Sequence, residues 1–91
     1  MRKEELVKLV AKNTGLSGRK VKLVIDAFLE EISRSLERGE RVELRGFGVF
    51  RVNTYQAKEM VVPATGKRIQ LPVRLFPHFK PGKILKERVR R

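Results

Sequence analysis

Between Asn53 and Pro72 the chain cannot build a core of its own. Short alternating segments flank a turn signal, Val62-Pro63-Ala64-Thr65-Gly66, and apolar residues are too sparse to bury both faces of a strand pair. The stretch reads as a two-stranded ribbon with Pro63 at its tip. A ribbon of this length is marginally stable in water by itself. Something must therefore hold it, or it must be built to grip something.

The support available is small. With 91 residues, one domain over 1–91 is the expectation. A domain of this size buries only about 60 % of the surface its unfolded chain exposes. There is no cysteine, so neither a disulfide nor a thiolate metal site braces it. Association with a second chain is the remaining common staple. No apolar run reaches the roughly 20 residues of a membrane span. Lys8 and Lys12 interrupt the Leu6–Val10 cluster, so no secretory signal is read. The reading is a soluble, cytoplasmic protein.

In chain order, Leu6, Val7, Leu9, Val10 and Ala11 predict a helix over 3–14, with Glu4 and Glu5 favouring its positive end and Gly15 as its stop. Ser17 reads as the N-cap of a second helix from Gly18 to about Arg38, closed by Gly39. Its stripe (Val21, Val24, Ile25, Phe28, Leu29, Ile32, Leu36) is too wide for one short partner helix, which points to another copy of the chain. Two helices in sequence also suggest a helix-turn-helix. Asp26, Glu30, Glu31 and Glu37 on the outer face of the second would repel phosphates, which argues against it. From Arg41 the period changes to two. Gly46-Phe47-Gly48 then predicts a tight turn with positive φ, its ring driven inward, followed by strand residues Val49, Phe50 and Val52. A return strand is expected from about Arg68 to Phe79, interrupted by Pro72 and Pro77. Lys80-Pro81-Gly82 precedes a last amphipathic helix. The segments are a helical base over 1–40, a sheet over 41–80 carrying an arm over about 53–72, and a helix over 81–91.

Charge is where the chain names its partner class. Residues 1–43 hold ten basic and eight acidic residues, whereas residues 44–91 hold twelve basic and two acidic, Glu59 and Glu87. A near-neutral front half thus joins a back half of net +10 (12 − 2), the footprint of a polyanion-binding surface. Catalytic chemistry finds little to work with. His78 is the one histidine and reads as structural or superficial. No carboxylate pair lies in an apolar setting, and Gly46-Phe47-Gly48 lacks the lysine and helix of a phosphate-binding loop. No catalytic residue, metal ligand or cofactor is assigned.

Three motifs then carry a resemblance that spans essentially the whole chain: Gly46-Phe47-Gly48-Val49-Phe50, Pro63-Ala64-Thr65-Gly66, and Phe79-Lys80-Pro81-Gly82-Lys83 with a helix starting at once. Together they resemble the bacterial HU / integration host factor family of DNA-bending, histone-like proteins. The resemblance implies an α+β fold with two N-terminal helices, a three-stranded antiparallel sheet with a long β-arm, a short C-terminal helix, and an intertwined dimer. It also implies that the arms enter the DNA minor groove and that Pro63 wedges between base pairs. Carried over position by position, it casts Lys58, Lys67 and Arg68 as arm cations. Gly46 and Gly48 form a loop close to the phosphate backbone, with Arg45 beside it. Lys80, Lys83 and Lys86 are cations around the last helix, and Arg51 and Arg74 are residues of the saddle. Phe47, Phe50 and Phe79, together with Phe28 and Ile32 of the second helix, read as dimer core.

Val61-Val62 stand where the family typically has Arg-Asn or Lys-Asn, and the outgoing arm strand holds fewer arginines than usual. The expected division of labour is that the body holds DNA and the Val61-Val62-Pro63 tip acts as an apolar wedge. The expected activity is bending and compaction of duplex DNA, preferably already bent or flexible, by a nucleoid-associated homodimer of low sequence specificity. The alternative is a subunit of a sequence-specific heterodimer of the integration host factor type.

Overall fold

The structure is a computed structural model and describes residues 1–90; Arg91, the last residue of the expected 81–91 segment, lies outside the described residues. The elements are α1 (Lys3–Thr14), α2 (Gly18–Glu37), β1 (Val42–Leu44), β2 (Gly48–Tyr55), β3 (Lys58–Val61), β4 (Arg68–Leu71), β5 (Arg74–Pro81) and α3 (Lys83–Val89). The chain divides into two compact units, Met1–Ser35 and the remainder.

The first unit is the α1–α2 pair. Gly15 closes α1, donating its N–H to the Ala11 carbonyl at 2.9 Å. Ser17 caps α2 as its residue type demands: its Oγ accepts from the Lys20 N–H at 3.2 Å. Asp26 on α2 ties the two helices, with its carboxylate 2.9 Å from Lys3 Nζ and 2.8 Å from Lys22 Nζ. Those two ammonium groups hold the Asp26 carboxyl below its ordinary value of 3.8. Val7 and Val21 are buried. The rest of the α2 stripe is not closed by the protomer: Val24 is 65 % and Phe28 51 % exposed, and Ile32 is half-buried.

In the second unit β1, β2 and β5 form an antiparallel sheet in that order, and β3 pairs with β4 as a separate ribbon. The expected continuous arm over 53–72 is therefore two pieces. β2 stays in the main sheet through Tyr55, which pairs with Arg74, and the ribbon proper runs from Lys58↔Leu71 to Val61↔Arg68. The expected interruption of the return strand at Pro72 is present, whereas the one at Pro77 is not: β5 runs unbroken from Arg74 to Pro81. Pro72, lacking a donor and restricting the residue before it, falls where the ladder stops. Pro77 is tolerated inside β5, opposite Val52, because β5 is an edge strand of this sheet. The final helix is also shorter than 81–91, occupying Lys83–Val89.

Period-two alternation sorts the sheet residues onto two faces. Val42, Leu44, Phe50, Val52, Leu75 and Phe79 share one. The Phe79 ring lies 4.7 Å from Phe50 and 5.4 Å from Phe47, centroid to centroid. The two loop glycines differ. Gly46 has φ +82°, as a turn requires, but Gly48 does not have positive φ. Gly48 begins β2, and a Cβ there would lie 2.6 Å from both the Lys80 carbonyl oxygen and the Phe79 ring. The expected positive φ at Gly48 is thus corrected to a requirement for close approach.

Candidate nucleic-acid interface

The second sheet face is set by register. Glu43 pairs with Val49, Val49 with Lys80, Arg51 with His78, Asn53 with Phe76, and Tyr55 with Arg74. Directly paired residues point to the same side, so Arg51, Arg74, Lys80 and His78 come to one face. That gathers three of the sequence-predicted cations, with Arg51 lying 23 positions (74 − 51) before the nearer of the other two.

At one end of the sheet the loop and the last helix extend this surface. The Phe47 N–H donates to the Leu44 carbonyl at 2.9 Å, closing the turn that carries Arg45 and Gly46. The Gly82 N–H donates to the Phe47 carbonyl at 2.8 Å, which fixes the start of α3 against that turn. Lys80, Lys83 and Lys86 then line a groove with Arg41 and Arg51, while Arg45, Gly46, Gly48 and Lys83 line the adjoining recess. Among the described residues, Arg45, Arg51, Lys80, Lys83 and Lys86 make no ion pair, whereas Arg41 is held by Glu43 at 3.4 Å. Five uncompensated cations on one surface leave a strong positive potential for phosphate oxygens.

The remaining predicted residues lie on the ribbon, outside that groove. Val62 and Lys67 close its tip through an N–H···O bond of 2.8 Å, and the Gly66 N–H donates to the Val62 carbonyl at 2.8 Å. Pro63 is exposed at the turn. Lys58 and Lys67 make no ion pair among the described residues, but Arg68 lies 3.4 Å from Glu59. The ribbon therefore offers two free cations and an apolar tip. Of the expected dimer-core residues, Phe47 is 46 % exposed, while Phe50 and Phe79 are half-buried.

Sequence reasoning missed Arg41, Asn53, Tyr55, Phe76 and His78 as members of this face. Asn53 and Tyr55 were within reach, since they share the parity of Arg51 along one strand. Phe76 and His78 were not, because their side depends on which β2 residues β5 pairs with.

The combination defines an α+β scaffold for nucleic acid: a helical pair, a sheet with one basic face, and a two-stranded ribbon with a proline at its turn. The family model described as bacterial DNA-binding protein matches residues 1–90. The chain is 47 % identical over 90 residues to the DNA-binding protein HU of Thermotoga maritima, covering 99 % of this chain and 100 % of that one. It is also 47 % identical over 90 residues to the integration host factor subunit beta of Marinobacter nauticus, covering 98 % and 92 %. Among solved structures, an Anabaena HU–DNA cocrystal structure superimposes with a TM-score of 0.86 at 34 % identity, covering 98 % of this chain and 97 % of that one. The chain belongs to the bacterial DNA-binding protein family that includes HU and integration host factor.

Proposed function

We propose that residues 1–91 act as one DNA-binding domain in a dimeric, non-enzymatic architectural protein of the bacterial cytoplasm that bends and compacts duplex DNA with low sequence preference. The observation that carries this reading is the set of unpaired cations Arg45, Arg51, Lys80, Lys83 and Lys86 around one face and one end of the sheet. Phosphates of a bent duplex are held by that surface. The ribbon enters the minor groove, where Lys58 and Lys67 add charge and Pro63 unstacks a base step at a cost of a few kcal/mol. The apolar faces at Val24, Phe28, Leu29 and Phe47, which the protomer leaves open, are covered by a second chain. Affinity measured by fluorescence anisotropy should fall linearly on a log–log plot against salt. A flat salt dependence, or an unbent duplex in end-to-end energy transfer, refutes the reading.

Equal identity to an HU and to an integration host factor beta subunit supports a second reading, a subunit of a sequence-specific heterodimer. Native mass spectrometry of the chain alone separates the two. A stable self-dimer that binds random duplex DNA supports the first reading; a monomer that dimerises only with a paralogous chain supports the second.

A further inference from the structure

Two aromatic side chains on the basic sheet face have no part in phosphate binding. Tyr55 and Phe76 lie on adjacent strands, and the Asn53↔Phe76 and Tyr55↔Arg74 pairs put both rings on the side of Arg51 and Lys80. Their centroids are 5.6 Å apart with the planes at 73°. Arg74 sits between them, its Cζ 5.9 Å from each ring centroid. The Arg74 Nε is buried without a hydrogen-bond partner among the described residues. The three side chains line a shallow recess of their own.

Tyr55 is 48 % and Phe76 47 % exposed, and their neighbours on this face are Arg51, Asn53, Arg74 and His78 rather than the apolar side chains that surround Phe47. Aromatic side chains on a positively charged sheet are the arrangement that holds nucleobases by stacking, with arginine adding a cation–π contribution. In an intact duplex the base faces are hidden against each other, so such a recess has nothing to hold there. An interruption in one strand exposes them.

We propose that Tyr55, Arg74 and Phe76 form a stacking platform for an unpaired base, so that part of the affinity for duplex DNA interrupted by a single-stranded gap comes from the base faces themselves. The proposal rests on the reading that the basic sheet face receives DNA. It differs from a preference for flexible joints, where the gain is a smaller deformation energy and needs no base.

The test compares three DNAs of equal length: an intact duplex, a duplex with a short single-stranded gap, and the same gap built from abasic nucleotides. The abasic gap keeps the phosphates and the flexible joint and removes only the base faces. The base-bearing gap should bind about tenfold more tightly than the abasic one. Tyr55 is the sole tyrosine in a chain without tryptophan, so its emission reports directly, and it should fall on binding the base-bearing gap and not the abasic gap. Phe76→Leu and Tyr55→Leu should each bring the affinity ratio towards one. Equal affinities for the two gaps, the same Tyr55 emission with both, or a ratio that survives both substitutions overturns the platform. If a variant fails to fold, the ratio and the Tyr55 emission of the unsubstituted protein decide alone. Tight binding of the intact duplex with equal binding of both gaps removes only the platform, whereas no binding of any duplex removes the reading beneath it.

Discussion

Replacing Gly48 by alanine should damage the protein far more than replacing Gly46, although the two flank the same phenylalanine. At Gly48 the new methyl meets the Lys80 carbonyl oxygen and the Phe79 ring at 2.6 Å, against 3.4 Å for the start of ordinary contact, a shortfall of 0.8 Å (3.4 − 2.6). Neither neighbour is free to retreat. The Lys80 carbonyl belongs to the β2–β5 ladder, and the Phe79 ring is held by Phe47 and Phe50. Overpacking of this kind costs about 1–3 kcal/mol, and an immovable backbone atom places Gly48→Ala near ~3 kcal/mol. At Gly46 the nearest atom to a new Cβ is Ile84 Cδ1 at 3.9 Å, so only the left-handed backbone is penalised, by roughly 1–2 kcal/mol. With a urea m-value of about 2 kcal/mol/M, the midpoints should fall by about 1.5 M for Gly48→Ala and about 0.5–1 M for Gly46→Ala. The assay is urea denaturation followed by circular dichroism at one fixed protomer concentration, since association shifts apparent stability. Asparagine separates the mechanisms: it tolerates left-handed backbone, so Gly46→Asn should cost less than Gly46→Ala, while Gly48→Asn should cost more than Gly48→Ala. Equal midpoints for the two alanine variants, or a Gly46→Ala loss exceeding that of Gly48→Ala, would refute the steric argument.

Pro63→Ala should reduce the bend angle, read by energy transfer between duplex ends, more than it reduces affinity for flexible DNA; an unchanged bend removes Pro63 as the wedge. Neutralising Lys80 and Lys83 together should lower the slope of log affinity against log salt by about one to two units per protomer, and an unchanged slope would return both lysines to bulk solvation. The Asp26 carboxyl is held below 3.8 by Lys22 and Lys3. Its contribution to stability is therefore complete above its unfolded value and disappears as pH falls through the lower folded value. Asp26→Asn should flatten that acid limb of the stability profile, and identical profiles for the two proteins would show the ion pairs to be inert.

The local elements were legible because their signals are local. Helical spacing, Ser17 at a cap and Gly15 as a stop locate α1 and α2 without reference to anything distant, and the placement agrees with the structure. The Pro63–Gly66 turn is likewise written in adjacent residues and closes through Val62 and Lys67. Charge partition between the two halves, ten basic and eight acidic residues against twelve and two, is also written in the composition and marks the basic half without reference to geometry. The arm was read too long because alternation continues through Tyr55; the sequence does not say that β2 there exchanges hydrogen bonds with β5 instead of β4. Gly48 was read as a turn glycine for the same reason. The atoms that demand it, at Lys80 and Phe79, lie more than thirty positions away.

By itself, then, the sequence determined the order and type of the elements, the location of the basic half, and the need of a wide, open apolar stripe for a partner. These follow from spacing, composition and short-range hydrogen bonding. Only the tertiary structure decided which side chains share a face. A shift of one residue in the β2–β5 register would carry Arg74, Phe76, His78 and Lys80 away from Arg51 and Tyr55. The pairing that prevents it is a long-range contact, enforced by the packing of Phe79 with Phe47 and Phe50 and by the contact of Gly48 with β5. It turns scattered cations and two aromatics into one surface.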